Sequence, residues 1–146
     1  MSETKNFLEV RIAGQNVAID VDAIWAVAVP GDLVPVPLAT RAVAGLTTIR
    51  GRPVTVVDPL RLLGHETEIG VDAHFVVVQV DDFTYAVLVE AVEEVRAVDP
   101  AGIAALPPGL SADWAALASG MISPDGRPLL VLRLEGLVSP ASAAAA

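Results

Sequence analysis

Apolar and polar residues alternate with a period of two along much of the chain, the pattern of strands with one buried face. Leu8, Val10 and Ile12 alternate with Phe7, Glu9 and Arg11, although Phe7 is itself apolar. Gly14-Gln15-Asn16 predicts a turn and Val17-Ala18-Ile19 a return strand, so residues 7–19 read as a hairpin. Asp20 predicts the cap of a short helix starting near Val21, with Ile24, Trp25 and Ala28 on one face. Residues 27–29 fit a helix end or a strand. Pro30, Pro35 and Pro37 then impose a rigid, extended connection, because proline lacks an amide hydrogen and restricts the residue before it.

The same signals continue downstream. Leu38 to Val43 predicts a helical turn, Gly45 to Arg50 a strand, Gly51-Arg52 a tight turn and Val54 to Val57 the next strand. Asp58-Pro59 has the form of a helix start, with aspartate as cap and proline just inside. His65 to Asp72 is polar and reads as a surface loop. Phe75 to Val80 is a nearly continuous apolar strand, Asp81-Asp82 a turn and Tyr85 to Val89 its return. Further strands are expected at Val92 to Val98 and Leu129 to Leu134, with a strong turn at Pro124-Asp125-Gly126. Ser111 is placed to cap a helical turn, and Leu117 to Ile122 fits that helix or a strand.

Short strands punctuated every 8–12 residues indicate an all-β sandwich or barrel. A weak internal duplication sharpens this. Hairpins at 7–19 and 75–89 are each followed by an apolar segment ending at Pro30 or Pro100, and strand-turn-strand units surround Gly51 and Gly126. Two small barrels packed face to face are the expected architecture.

Composition narrows the function. The chain has 146 residues, 53% of them hydrophobic and only 18% charged, enough for one domain with a substantial core. Eighteen acidic against nine basic residues leave a net charge of −9. Such a balance argues against nucleic-acid binding, which needs lysine and arginine to displace counterions. No cysteine is present, which excludes disulfides, thiolate nucleophiles and zinc-thiolate sites. Met1 to Asn6 is polar and carries no signal-like apolar stretch, and no apolar run has the length of a membrane span. A cytoplasmic protein without direct membrane insertion is expected.

Catalytic chemistry finds little support. His65 and His74 flank a polar loop with Glu66 and Glu68, but the run offers no fixed ligand geometry. No serine lies in a nucleophile elbow, and no phosphate-binding glycine loop exists. The acid pairs Asp81-Asp82 and Glu93-Glu94 read as solvated charge. No enzyme activity, metal or cofactor is expected.

Charge placement is more informative. Arg41, Arg50, Arg52 and Arg61 fall within residues 41–61 beside a single acid, Asp58, whereas residues 81–99 carry six acids and only Arg96. Such segregation predicts opposite-sign surfaces that each orient a partner, or ordinary solubility. Arg50-Gly51-Arg52 places two planar, bidentate donors about a turn glycine. They suit a carboxylate across an interface, or an internal pair such as Arg50 with Asp58; chemistry alone weighs the two equally.

The stretch from Gly45 through Thr47-Thr48-Ile49-Arg50-Gly51 to Val57-Asp58 resembles the central motif of the CheW family of chemotaxis coupling adaptors. Arg50, Gly51 and Asp58 match, while Thr48 and Ile49 stand for the usual asparagine and leucine. Phe7-Leu8, the Gly14 turn, Val34-Pro35-Val36-Pro37, Leu88 to Val95, Ser119-Gly120 and Leu130 to Val138 resemble the family's other segments in order. The resemblance implies a single domain over 5–138, with flexible termini at 1–4 and 139–146. Its fold would be two five-stranded β-barrels of SH3-like type around a shared hydrophobic core, with short helices.

It also implies a non-catalytic scaffold linking the cytoplasmic tip of transmembrane chemoreceptors to the regulatory domain, of the same fold, of a CheA-type histidine autokinase. The protein would sit in the cytoplasm, peripheral to receptor arrays. A groove between the subdomains would take the receptor tip. Arg50, Gly51 and Arg52, with Val34, Val36, Leu46 and Ile49 as apolar groove or core positions, are the implied protein-binding residues. Three departures stand out: Ala26 for a frequent glutamate, Glu90 for aspartate, and Arg133 where the last strand often carries aspartate. Ala26 and Arg133 support an alternative, a competitor or modulator of kinase or receptor in a non-motility pathway.

Overall fold

The computed structural model describes residues 4–137, and its secondary structure is dominated by ten strands. They are β1 (Lys5–Ile12), β2 (Gln15–Asp20), β3 (Ile24–Ala28), β4 (Val43–Ile49) and β5 (Arg52–Val57) in the first half. The second half supplies β6 (His74–Val80), β7 (Phe83–Val89), β8 (Ala91–Val98), β9 (Ala118–Ile122) and β10 (Leu129–Leu132). Helical segments among the described residues include α1 (Pro59–Leu62), α2 (Ala112–Leu117) and residues 134–137.

The strands form two five-stranded mixed sheets, ordered β8-β1-β2-β10-β9 and β3-β6-β7-β5-β4. The expected pair of closed barrels is not found. The end strands β8 and β9 of one sheet, and β3 and β4 of the other, do not pair with each other. The proline-bearing segments explain the open edges. Residue 34 forms an isolated antiparallel bridge with Leu46 on β4, and Ala104 an equivalent bridge with Met121 on β9. A segment interrupted by proline cannot continue a ladder, so each edge receives one bridge instead of a closing strand. Gly45 and Gly120 admit these crossings. A Cβ on them would lie 2.7 Å from the Val34 carbonyl oxygen and 2.9 Å from that of Ala104.

The duplication is visible in the topology. Each half of the chain gives a hairpin to one sheet and three strands to the other: β1-β2 and β8-β9-β10 share a sheet, as do β6-β7 and β3-β4-β5. Neither sheet is therefore made from contiguous chain.

Period-two alternation divides single strands between different cores. Val76, Val78 and Val80 of β6 join Tyr85, Val87 and Val89 of β7 in a central cluster with Leu8, Val10 and Ile12 of β1 and Val17 and Ile19 of β2. The intervening Phe75, Val77, Ala86 and Leu88 face a second cluster with Ile49, Val54 and Val56. Phe7, Ala18, Ile122, Leu129 and Val131 form a third cluster on the far side of the first sheet. Burial of both faces is why β6 is almost wholly apolar.

Four local expectations need correction. The first turn falls at Ala13-Gly14, and the motif turn at Arg50-Gly51, both earlier than predicted. The helix after Asp20 is a single 3-10 turn, Val21–Ala23, capped by the Asp20 side chain at 2.9 Å from the Asp22 amide. Trp25 and Ala28 belong to β3. No helical turn forms over 38–43: Leu38, Arg41 and Ala42 lie in turns and Val43 opens β4. The Asp58 cap is as expected, its Oδ1 accepting the Leu60 amide at 3.0 Å with Pro59 just inside α1. Ser111 likewise caps α2 through the Trp114 amide at 3.3 Å. The expected fraying of 139–146 concerns residues outside those described.

Beneath the far side of the first sheet lies one buried charge. Glu9, 1% exposed, accepts from Asn16 Nδ2 at 2.7 Å and Arg96 Nε at 2.9 Å. Arg96 also reaches Asp125 and Glu94, and Arg127 approaches Glu9 at 3.5 Å. The hydrogen bond to Glu9, then the surrounding carboxylates, hold the Arg96 guanidinium above its ordinary pKa despite desolvation. This network ties β1, β2, β8 and the turn before β10 together.

Candidate protein-docking site

The β4–β5 hairpin closes with a two-residue turn between Ile49 and Arg52. Arg50 (φ 52°) and Gly51 (φ 78°) both adopt left-handed backbone, as the twist of a two-residue hairpin demands. Glycine does so freely, but a side chain at the first position carries a cost of roughly 1–2 kcal/mol. Arginine is nevertheless there, and its side chain is exposed.

Its contact is aromatic. The Arg50 guanidinium carbon stands 5.1 Å from the ring centroid of Trp25, within cation–π range. Trp25 is the extra residue of a bulge, since Ile24 pairs with Val78 and Ala26 with Val77. A bulge re-aims a side chain. Trp25 remains 42% exposed, so the pair forms a fixed, solvent-facing cation on an aromatic base. Although β3 and β4 lie at opposite ends of the strand order, the sheet curls enough to bring Trp25 and Arg50 together. No ion pair engages Arg50 or Arg52 among the described residues. The internal Arg50–Asp58 pairing is not formed. Asp58 is fully buried and serves as the α1 cap.

Beside the hairpin, Gly31, Asp32, Val34, Leu46, Thr47, Thr48 and Pro53 line a cavity of about 430 Å³. Val34, 61% exposed, and Leu46, 36% exposed, are held in register by reciprocal backbone hydrogen bonds of 2.8 Å. Val36 is exposed on the same proline-bearing segment but does not line the cavity. Ile49 alternates inward and belongs to the second core cluster. The other two arginines of the basic segment serve the fold: Arg61 donates to the Val43 carbonyl at 2.9 Å and to Thr67, and Arg41 to the Arg61 carbonyl.

A second recess, of about 420 Å³, opens between the sheets, with Lys5, Phe7 and Asp20 on one wall and Gln79, Val80 and Asp81 on the other. Arg133 lines it too, exposed and without an ion pair among the described residues. Lys5 is neutralised by Asp20 at 2.9 Å, which raises the pKa of its ammonium. Trp25 was not legible as a site residue, because its exposure beside Arg50 depends on a bulge.

The arrangement offers surface rather than a reaction centre: a cation fixed on an aromatic ring and apolar recesses with polar rims. Among the described residues, no group of three or more His, Asp or Glu could hold a metal ion, and no helix is long and apolar enough to cross a membrane. The exposed Arg50–Trp25 pair and the adjoining recesses make this a candidate docking surface on a fold of two open five-stranded sheets. Residues 6–142 match the CheW-like domain family, and the chain belongs to it. Members are non-catalytic scaffolds, and membership supports an adaptor role in chemotaxis-like signal transduction. Among solved structures, the scaffolding protein TtCheW from Thermoanaerobacter tengcongensis superposes with a TM-score of 0.84 at 20% identity, over 92% of each chain. At that identity the likeness establishes the fold. A comparison with curated proteins finds no match.

Proposed function

We propose that the protein couples transmembrane chemoreceptors to a CheA-type histidine autokinase, holding both through protein contacts at the cytoplasmic face of a receptor array. The observation that carries this reading is Arg50. It is exposed, held over Trp25, kept on strained backbone and, among the described residues, paired with no carboxylate. Strain of this kind persists where the surrounding structure enforces it, and such positions cluster at functional sites. The cavity at Val34 and Leu46 supplies adjoining apolar surface for the same contact. On this reading, the recess between the sheets takes the receptor tip.

Coupling requires no chemistry in the adaptor. A receptor shift changes kinase activity only if the two bound states differ in free energy. The test is reconstitution of receptor-containing membranes, purified kinase and this protein, with autophosphorylation as readout. A coupler raises the rate and makes it responsive to receptor ligand. Arg133 in the recess favours a second reading, a competitor that occupies one partner without joining both. A competitor lowers autophosphorylation in the same assay, and no change in rate refutes both readings.

A further inference from the structure

The two oppositely charged turns do not lie on opposite surfaces. β5 and β7 are parallel neighbours, with Thr55 paired to Tyr85. Arg52 and Asp82 each stand three residues ahead of that pair. The Arg50–Arg52 turn and the Asp81–Asp82 turn therefore project from the same end of one sheet, on adjacent strands about 5 Å apart at the backbone. All four charged residues are exposed, and none is in an ion pair among the described residues. Both turns are built on left-handed backbone, with φ of 50° at Asp81 and 69° at Asp82 matching 52° at Arg50. Phe83, 63% exposed, and Trp25 add apolar surface to this end.

We infer that this end of the sheet docks against the same end of a second copy of the chain, in a two-fold dimer that pairs the arginine turn of each copy with the aspartate turn of the other. The charge pattern selects the occupant. A partner carrying one sign of charge meets like charge at one of the two turns. A two-fold operation lays plus on minus twice, the self-complementarity of an isologous interface. The net charge of −9 on each copy opposes association, but at physiological ionic strength screening acts over about 8 Å and leaves contact pairs favoured over distant repulsion. Two hairpin tips make a small interface, so the dimer is weak and exchanging. The adaptor reading assigns Arg50 to partner contact. On that reading dimerisation and partner binding exclude one another, and the dimer is a reserve form.

The test is sedimentation velocity of the full chain alone at physiological salt, up to about 0.5 mM, as a small interface requires. The wild type is expected to shift from monomer to dimer across this range. Arg52→Glu and Asp82→Arg each bring like charges together at both symmetric contacts and are expected to weaken dimerisation at least about tenfold. An equimolar mixture of the two variants is the decisive arm. In the mixed dimer the introduced glutamate of one chain meets the introduced arginine of the other, the native Asp82 and Arg52 meet at the second contact, and dimer returns. A monomeric wild type, dimerisation unaffected by either variant, failure of the mixture to restore dimer, or open-ended chains instead of dimers overturns the inference. No receptor or kinase is present, so failure here leaves the adaptor reading standing.

Discussion

Replacing Arg50 with glutamate separates a docking residue from a structural one. Within the protein the substitution removes one interaction, the cation–π contact with Trp25 at 5.1 Å. At an exposed site that contact is worth about 0.5–1 kcal/mol. Backbone strain at φ 52° is unchanged, because glutamate carries the same Cβ. No internal carboxylate is left without a partner, since none pairs with Arg50 among the described residues. Unfolding should thus move by no more than about 1 kcal/mol, a shift of roughly 3 °C for a chain of this size. Across an interface the same arginine facing a desolvated carboxylate is worth about 2–5 kcal/mol. Binding to receptor or kinase should then fall by at least about thirtyfold. The assay pairs a thermal melt with titration calorimetry against receptor-containing nanodiscs and the kinase regulatory domain. A melting temperature lowered by more than about 10 °C would assign Arg50 to the fold, and unchanged affinity for both partners would refute its role in docking.

Three further outcomes are expected. Gly45→Ala puts a methyl group 2.7 Å from the Val34 carbonyl oxygen at φ 155°, so the bridge to Leu46 must shift; a loss of about 1–3 kcal/mol is expected in denaturant titration, and wild-type stability would contradict the close approach. Glu9→Ala strips Arg96 and Asn16 of their buried acceptor; urea titration should register a loss of about 3 kcal/mol, and a loss below about 1 kcal/mol would mean that Glu94 and Asp125 replace it. Lys5 has its pKa raised above the ordinary 10.5 by the hydrogen bond to Asp20, so its contribution to stability is complete below 10.5 and disappears as pH rises through the folded value. Lys5→Met should remove that alkaline loss from a stability-against-pH curve, and an identical curve would show that Lys5 contributes none of it.

Much of the fold was legible because the core obeys the side-chain period. The hairpins, the Asp58 and Ser111 caps and the duplication all follow from local patterns. Closure was not, because it depends on edges. Pro30, Pro35 and Pro37 announced an extended segment, but whether that segment completes a barrel depends on hydrogen bonds that it makes with a distant strand. It makes two, between Val34 and Leu46, and the sheet stays open. The two turns fall a residue earlier than their glycines suggest because a non-glycine residue opens each of them. Ala13 and Arg50 take the first left-handed position in turns where Gly14 and Gly51 take only the second.

The site was half legible for a related reason. The Arg50-Gly51 turn and the apolar Val34 and Leu46 are local features, and the structure sets Val34 and Leu46 around one cavity beside that turn. Ile49 faces the core because a strand alternates, and it stands two positions after Thr47, which is buried on the same side. Trp25 escaped because a bulge adds a residue without any sign in composition. Charge shows the limit most clearly. The arginine turn and the aspartate turn stand far apart along the chain, and sequence distance suggests separate surfaces. A single parallel pairing, Thr55 with Tyr85, cancels that distance and sets the turns side by side. What the protein presents to another molecule is thus decided by register. Reversing the direction of β5 against β7 would leave the composition unchanged and move the arginines to the far end of the sheet, away from the aspartates.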